Sequence, residues 1–162
     1  MRIGLLADTH NRLDKVALAV ERLRGEGLQS VLHAGDVTGP QVLQELRDFD
    51  LWIARGNMDR NPLLGTVAEE LFGHDRFRDV HTLTLAGQHI ALLHGDQHRL
   101  LKLLVDSGSY DYVIHGHTHT FRDEHQAHTR IINPGALSNT SWRPGAFAIL
   151  DLQTGKLERL TV

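Results

Sequence analysis

Five short apolar runs in this 162-residue chain each stop at a residue able to hold a metal ion. IGLLA, residues 3–7, runs into Asp8-Thr9-His10, and VLHAG, residues 31–35, runs into Asp36. LWIARG, residues 51–56, leads to Asn57, and IALL, residues 90–93, leads to His94-Gly95-Asp96. YVIHG, residues 112–116, leads to His117-Thr118-His119. Apolar runs this short, without helical spacing, read as buried strands. In sheets of this kind functional groups collect at the carboxyl ends of strands, where loops are free to vary. If these strands neighbour one another, their tips converge on one cluster of Asp, His and Asn.

The segments between them fit that frame. Arg12–Arg24 places Leu13, Val16, Ala17, Val20 and Leu23 on one helical face, and Gly25 and Gly27 end it. Gln41–Asp48, just after Pro40, reads as a second helix. With strands over Arg2–Ala7, Ser30–Ala34 and Leu51–Ala54, the first third is βαβαβ. That order implies parallel strands with right-handed crossovers. Further on, Val80–Leu85 and Gln88–Leu93 flank Ala86-Gly87 as a hairpin, and Gln97–Val105 forms a helix. Strands are expected at Tyr110–Ile114, Arg130–Ile132, Ala146–Leu152 and Lys156–Leu160, with a short helix at Leu63–Leu71 in the otherwise featureless stretch 61–79. The expectation is one α/β domain over residues 1–162, with mixed sheets covered by helices.

Composition narrows the chemistry. The chain has no cysteine, which excludes disulfides, thiolate metal sites and cysteine nucleophiles. Its 17 basic and 20 acidic side chains give a net charge of -3 without a polybasic run, so strong nucleic-acid binding is not expected. No apolar run approaches the roughly 18 residues of a membrane span, so no membrane association is expected. MRIGLLADTH does not read as a signal peptide, and a cytoplasmic location is the expectation. Twelve histidines stand out. Nitrogen and oxygen donors without sulfur suit manganese, iron, zinc, nickel or magnesium. An extended Asp8-x-His10 would point both side chains at one ion. His117-x-His119 could do the same if extended, or serve adjacent ions if it turns. Glycines 35, 56, 95 and 116 beside these residues permit tight turns and close backbone approach. A lone Asp at a strand end is ordinarily a cap or turn former, and a lone His an ordinary core or surface residue. His33, His74, His81, His89, His125 and His128 are read that way, and His98 as a surface residue opening a helix. Recurrence at five strand ends is what capping does not explain.

The motifs D-x-H at residue 8, G-D at 35–36, G-N at 56–57, H-G-D at 94–96 and G-H-T-H at 116–119 resemble those of the calcineurin-like metallophosphoesterases. Order and spacing are most similar to the small YfcE-like phosphodiesterase group, which also resembles the retromer subunit Vps29. The resemblance covers residue 3 to about residue 150. It implies a four-layer αββα sandwich of two mixed β-sheets. It also implies two divalent metal ions, manganese being the expected one, with iron, zinc, nickel or magnesium as alternatives. By motif position, Asp8, His10 and His119 would hold the first ion and Asn57, His94 and His117 the second, with Asp36 bridging.

The activity implied is phosphodiester hydrolysis, with a metal-bridging hydroxide as nucleophile and Asp36, Asn57 and His94 at the catalytic centre. Arg12, Arg55 and Arg60 lie one to three residues from ligands and are candidates for holding phosphate oxygens; the plain alternative is surface ion pairing. Asp59 and Asp96 are candidates for orienting ligands. The family usually has a histidine after G-N, and this group often a cysteine; here Met58 stands there, and a thioether has no proton to give. Asn133-Pro134-Gly135-Ala136 reads as a structural turn. A phosphate ester is the expected partner, and self-association into a homo-oligomer is admitted. The competing function is a Vps29-like protein-binding scaffold with little or no catalysis, which the full ligand set disfavours and Met58 favours.

Overall fold

The computed structural model describes residues 1–139 and 144–162. Six strands form one sheet, in the order β11-β10-β1-β2-β3-β4, and five form another, β5-β6-β7-β9-β8. In the first sheet β1 (Arg2–Leu6), β2 (Ser30–His33), β3 (Asp50–Ala54) and the two-residue β4 (Phe77–Arg78) run parallel. β10 (Ala146–Asp151) and β11 (Leu157–Thr161) extend that sheet antiparallel on the other side of β1. In the second sheet β5 (Val80–Leu85) and β6 (Gln88–Leu93) make the expected hairpin. Beyond it β6, β7 (Tyr112–Ile114) and β9 (Thr129–Asn133) are parallel, and β8 (Arg122–Gln126) pairs antiparallel with β9 at the edge.

Alternation along the strands builds the layers. Ile3, Leu5, Leu32, Ala34 and Ala54 pack against Ile90, Leu92, Ile114 and Ile132, which is the core between the two sheets. Leu6, Val31, Leu51 and Ile53 face the other way. There they meet α1 (Leu13–Gly25), α2 (Pro40–Glu45) and α3 (Leu63–Phe72) through residues such as Leu23, Leu43 and Leu64. On the far side of the second sheet, Ala91, Leu93, Val113 and Ile131 pack against Leu104 and Val105 of α4 (His98–Asp106). The order helices, sheet, sheet, helix is the four-layer αββα sandwich expected.

Three elements differ from the sequence reading. α2 ends at Glu45 rather than Asp48, because the Leu46 N–H is shared between the carbonyls of Val42 and Leu43 and the turn tightens. β4 has only two residues, too few for any periodicity. β8, RDEHQ, carries no apolar side chain; it is an outer edge strand held by the ladder to β9 and by the Arg130–Asp123 ion pair. Among the described residues no helix is long and apolar enough to cross a membrane.

Leu32 is fully buried in the inter-sheet layer, one residue before the His33 that ends β2. Leu32→Ala is expected to lower unfolding free energy by about 2–5 kcal/mol through lost transfer energy and a residual cavity. Urea denaturation with an unchanged slope checks it.

Candidate metal centre

Parallel pairing places the carboxyl ends of β1, β2 and β3 side by side, and the same holds for β6, β7 and β9. The connecting loops are stitched together by backbone bonds. The N–H groups of Asp8, His10 and Asn11 donate to the carbonyls of Gly35, Asp36 and Val37 at 2.9, 2.9 and 3.1 Å. Gly116 N–H donates to His94 O at 2.9 Å, and His117 N–H to the Asp8 carboxylate at 3.1 Å.

The donor atoms meet closely. His10 Nε2 lies 3.6 Å from Asp36 Oδ2 and 3.5 Å from His119 Nε2. His119 Nε2 lies 3.3 Å from Asp8 Oδ1. His94 Nε2 lies 3.4 Å from Asp36 Oδ2 and 3.1 Å from Asn57 Oδ1. Asp36 Oδ2 therefore stands between His10 and His94. Asp8, His10 and His119 form one compact donor cluster, and Asp8, Asp36 and His94 another. His117 belongs to neither cluster, but its ring meets that of His94 edge-on at 5.1 Å. The structure thus brings all seven candidate ligands to one place. Asp8, Asp36 and His94 are buried at its floor, while Asn57 and His119 are exposed at its rim.

Local conformation departs from the extended Asp8-x-His10 anticipated above. Asp8, His10, Asp36, His117 and His119 have φ of 52°, 42°, 57°, 66° and 56°, the left-handed region that non-glycine residues seldom occupy. Such residues cluster where function over-determines the backbone. Both histidine-bearing segments are turns. In the second, the two rings diverge as the turned alternative requires, His119 toward His10 and His117 toward His94.

The Asp36 carboxylate accepts from Met58 N–H at 2.9 Å. Asp59 sits behind it and accepts from three backbone groups, Thr38 N–H at 2.7 Å, Gly56 N–H at 2.8 Å and Asp36 N–H at 3.0 Å. Glycine is required at 56 because a Cβ there would fall 2.1 Å from Asp36 Oδ1. His94 Nδ1 pairs with Ala34 O at 2.8 Å, which leaves Nε2 free to face the cluster. The Ala34 carbonyl, rather than the candidate Asp96, is the partner that orients His94 through Nδ1.

Charge follows from this packing. Burial works against protonation of His94, but Asp36, the Ala34 carbonyl and Asp8 outweigh it and raise the imidazole to about 9. Burial would raise the Asp36 carboxyl, yet His94, the Met58 N–H and His10 hold it below the usual range. The Asp8 carboxylate raises His119. Burial raises Asp59 despite its backbone donors.

A cation fits this donor set. Asp8 Oδ1 is fully buried and accepts no hydrogen bond, although two imidazole-bearing loops surround it. This oxygen faces the His119 imidazole at 3.3 Å without a hydrogen bond, a place that a positive charge satisfies, and hard oxygen donors beside imidazoles suit a divalent ion.

The arginines are less convergent. Arg60 Nε donates to Asn57 O at 3.3 Å and so stays beside the cluster. Arg12 is engaged with Asp14 at 3.2 and 3.0 Å. Arg55 lies over the Phe77 ring at 4.9 Å and 4.0 Å from Asp79, a surface arrangement.

Two buried residues with a part in the site escaped the sequence reading. His33 accepts from Gly35 N–H on Nδ1 at 3.2 Å and reaches Thr9 Oγ1 with Nε2 at 3.1 Å, tying two ligand loops together. Burial lowers it to about 3. Asn133 donates to Gly116 O at 2.8 Å and Thr118 Oγ1 at 3.0 Å, bracing the turn that carries His117 and His119. Its place in Asn133-Pro134-Gly135 was the only local signal, and the reading of that segment as structural holds.

The profile of the calcineurin-like phosphoesterase superfamily domain matches residues 1–155. A phosphodiesterase of Methanocaldococcus jannaschii is 29% identical over 138 residues, spanning 83% of each chain. A solved structure of an archaeal phosphodiesterase superposes with a TM-score of 0.90 at 26% identity, covering 100% of both chains. Vps29 of Entamoeba histolytica, in a single-mutant form, shares the fold with a TM-score of 0.70 at 17% identity, over 100% of this chain and 99% of its own.

Asp59→Ala strips three backbone N–H groups of their acceptor. It is expected to cost about 2–5 kcal/mol, since each buried unsatisfied donor carries roughly 1–3 kcal/mol less what water recovers. Chemical denaturation of the variant measures it, and an unchanged stability would show that water replaces the carboxylate fully.

Proposed function

The chain belongs to the calcineurin-like phosphoesterase superfamily and is a phosphoric ester hydrolase, and we propose that it is a phosphodiesterase working with two divalent ions held by Asp8, His10, Asp36, Asn57, His94, His117 and His119. The observation that carries this is the convergence of those donors from five loops around the unpaired Asp8 oxygen. In this reading Asp8, His10 and His119 hold one ion, Asn57, His94 and His117 the other, and Asp36 bridges, its Oδ2 lying between His10 and His94. When bound, two such ions supply Lewis acidity toward phosphoryl oxygens and an activated water as nucleophile. The protein's part is to hold the donors rigidly. Asp59 fixes the backbone of Asp36, the Ala34 carbonyl turns His94, and His33 locks the first two loops to each other. Asn57 contributes a neutral oxygen, so the centre keeps a positive surplus that draws an anionic ester. Arg60 is placed to hold a phosphate oxygen at the rim, with Arg12 and Arg55 reaching the substrate only by leaving their surface partners. Manganese is the ion we assign, the setting is the cytoplasm, and residues 1–162 act as one domain.

The deciding experiment is hydrolysis of bis(p-nitrophenyl) phosphate by protein stripped of metal and then reloaded with manganese. Activity restored by manganese, with two ions per chain by elemental analysis, is expected. Asp36→Asn is expected to lower it by about 10²-fold or more, the scale on which losing one electrostatic contact to a transition state acts. A loaded protein that is inert toward every ester would replace this reading with the binding-scaffold one that the Vps29 fold allows.

Proton release tests the ligand set separately. With His94 near 9 in the metal-free protein, its imidazole is charged at pH 7 and must lose the proton to coordinate. Apparent metal affinity should therefore rise with pH up to about 9. Calorimetry at pH 7 in buffers of different ionisation enthalpy should find about one proton released through His94, with a further fraction from His119. Metal uptake without proton release would remove His94 from the ligands.

The leaving group gives a third test. Met58 is exposed beside Asn57 and offers only its backbone N–H, to Asp36. Asp59 is committed to three backbone donors. General acid catalysis is worth about 10²–10⁴-fold, chiefly for poor leaving groups. Rates should fall steeply with leaving-group pKa, and Met58→His should accelerate alkyl diesters far more than nitrophenyl ones. kcat/KM across aryl and alkyl methylphosphate diesters measures the slope, and a flat slope in the wild type would mean that another group donates.

A further inference from the structure

α4 begins four residues after His94 and leads away from the metal centre along the second sheet. Its residues His98, Leu101, Val105 and Asp106 fall on one helical face, and between that face and strands β8 and β9 lies a cavity of about 200 Å³. The cavity has a direction. At one end stands His98, whose ring is 6.2 Å from that of His117, so this end lies nearest the metal centre. Arg122, at the start of β8, lines the same groove and pairs with Asn133, whose side chain bonds to the loop that carries His117. At the other end Gln126 Nε2 donates to Asp106 Oδ1 at 2.8 Å and closes the passage. From His98 to Asp106 is eight residues, or about 12 Å of helix.

The lining specifies chemistry. Leu101, Val105 and Ile131 form an apolar floor continuous with the core between α4 and the sheet. The charges are already matched: Lys102 pairs with Asp106, and Arg122 donates through Nε and Nη2 to one Glu124 oxygen at 3.0 and 2.9 Å. A guanidinium face stacks well on a flat ring, and that of Arg122 lines this groove. A second phosphate or a carboxylate would find Lys102 and Arg122 already paired, whereas a flat uncharged group would find a floor and a stacking partner.

We propose that the groove between α4 and β8 is the subsite for one ester arm of the phosphodiester, and that it selects an uncharged arm of about the size of one aromatic ring. This rests on the metal-dependent phosphodiesterase reading, but the groove's affinity for a flat arm joined to a phosphate can be measured without turnover. In this arrangement phosphorus lies at the metal centre, the arm passes between His98 and Arg122, and its end reaches the Leu101, Val105 and Ile131 side chains. His98, in the mouth, is a specificity-determining residue.

The test is methyl NMR of the zinc-loaded, isotope-labelled full chain titrated with diphenyl phosphate and, separately, dimethyl phosphate. Diphenyl phosphate is expected to shift the Leu101, Val105 and Ile131 methyl signals through the ring current, and dimethyl phosphate to leave them in place. Leu101→Trp, which fills the groove, should raise the ratio of KM for bis(p-nitrophenyl) phosphate to KM for methyl p-nitrophenyl phosphate about tenfold. Identical methyl responses to the two phosphates, or none, would overturn the groove whether or not the protein hydrolyses esters. Shifts at those methyls in a protein that hydrolyses none would uphold the groove and sink the phosphodiesterase reading instead. The wild-type titration does not depend on the variant folding.

Discussion

The contact of the Asp36 carboxylate with the imidazoles of His10 and His94 is what the arrangement of loops serves. Two elements of different sheets must come within hydrogen-bonding range for it to exist, and neither sheet alone can supply it. The cost is visible in the backbone. Asp36 and four other candidate ligands occupy the left-handed region, at about 1–2 kcal/mol per residue. Those residues stay there because their loops are bonded to one another rather than to solvent, through the Asp8–Gly35, His10–Asp36 and Gly116–His94 backbone pairs. Asp59 adds the last constraint, anchoring the loop after β2 to the loop after β3 with a single side chain.

Legibility in the sequence followed range. The strands leading to Asp8, Asp36, Asn57, His94 and His117 could be read because each is a local apolar run with a polar end. The layering could be read because alternation in β1 and the 3.6-residue period in α1 are local too. β8 could not, since a strand that buries no side chain leaves no hydrophobic trace. The Asp8-x-His10 geometry was misjudged for a related reason. A two-residue spacing says nothing of φ, and here the loop is bent by bonds to residues 35–37. The parts of His33 and Asn133 rest on partners 24 and 17 residues away, so their identity alone could not reveal them.

The layers are unequal, and function follows the inequality. Among the described residues three helices cover the first sheet and one covers the second. A single helix of nine residues cannot shield five strands, so the far edge of that sheet stays polar, as RDEHQ in β8 attests. The same shortfall leaves open the space between α4 and β8 that begins beside His117. On the opposite face α1, α2 and α3 pack buried leucine, valine and alanine against the first sheet.

Side chains around the centre divide by what they bond. Asp59, His33 and Asn133 bond to backbone or to other loops, and each stabilises the folded chain by satisfying groups that burial would otherwise leave unpaired. His10, His94 and His119 instead point nitrogen at nitrogen or carboxylate within 3.6 Å, and Asp8 keeps one oxygen unpaired. In the metal-free chain these are pairs of opposite charge, since Asp36 raises His94, Asp8 raises His119 and His94 lowers Asp36, so they too contribute to folding. Removing the first group should loosen the loops, and removing His94 should also destabilise the metal-free chain, because it leaves the buried Asp36 carboxylate short of a partner. A metal ion at this place must displace the protons through which those imidazoles pair with the carboxylates, so the contacts that steady the metal-free centre are the ones its chemistry takes over.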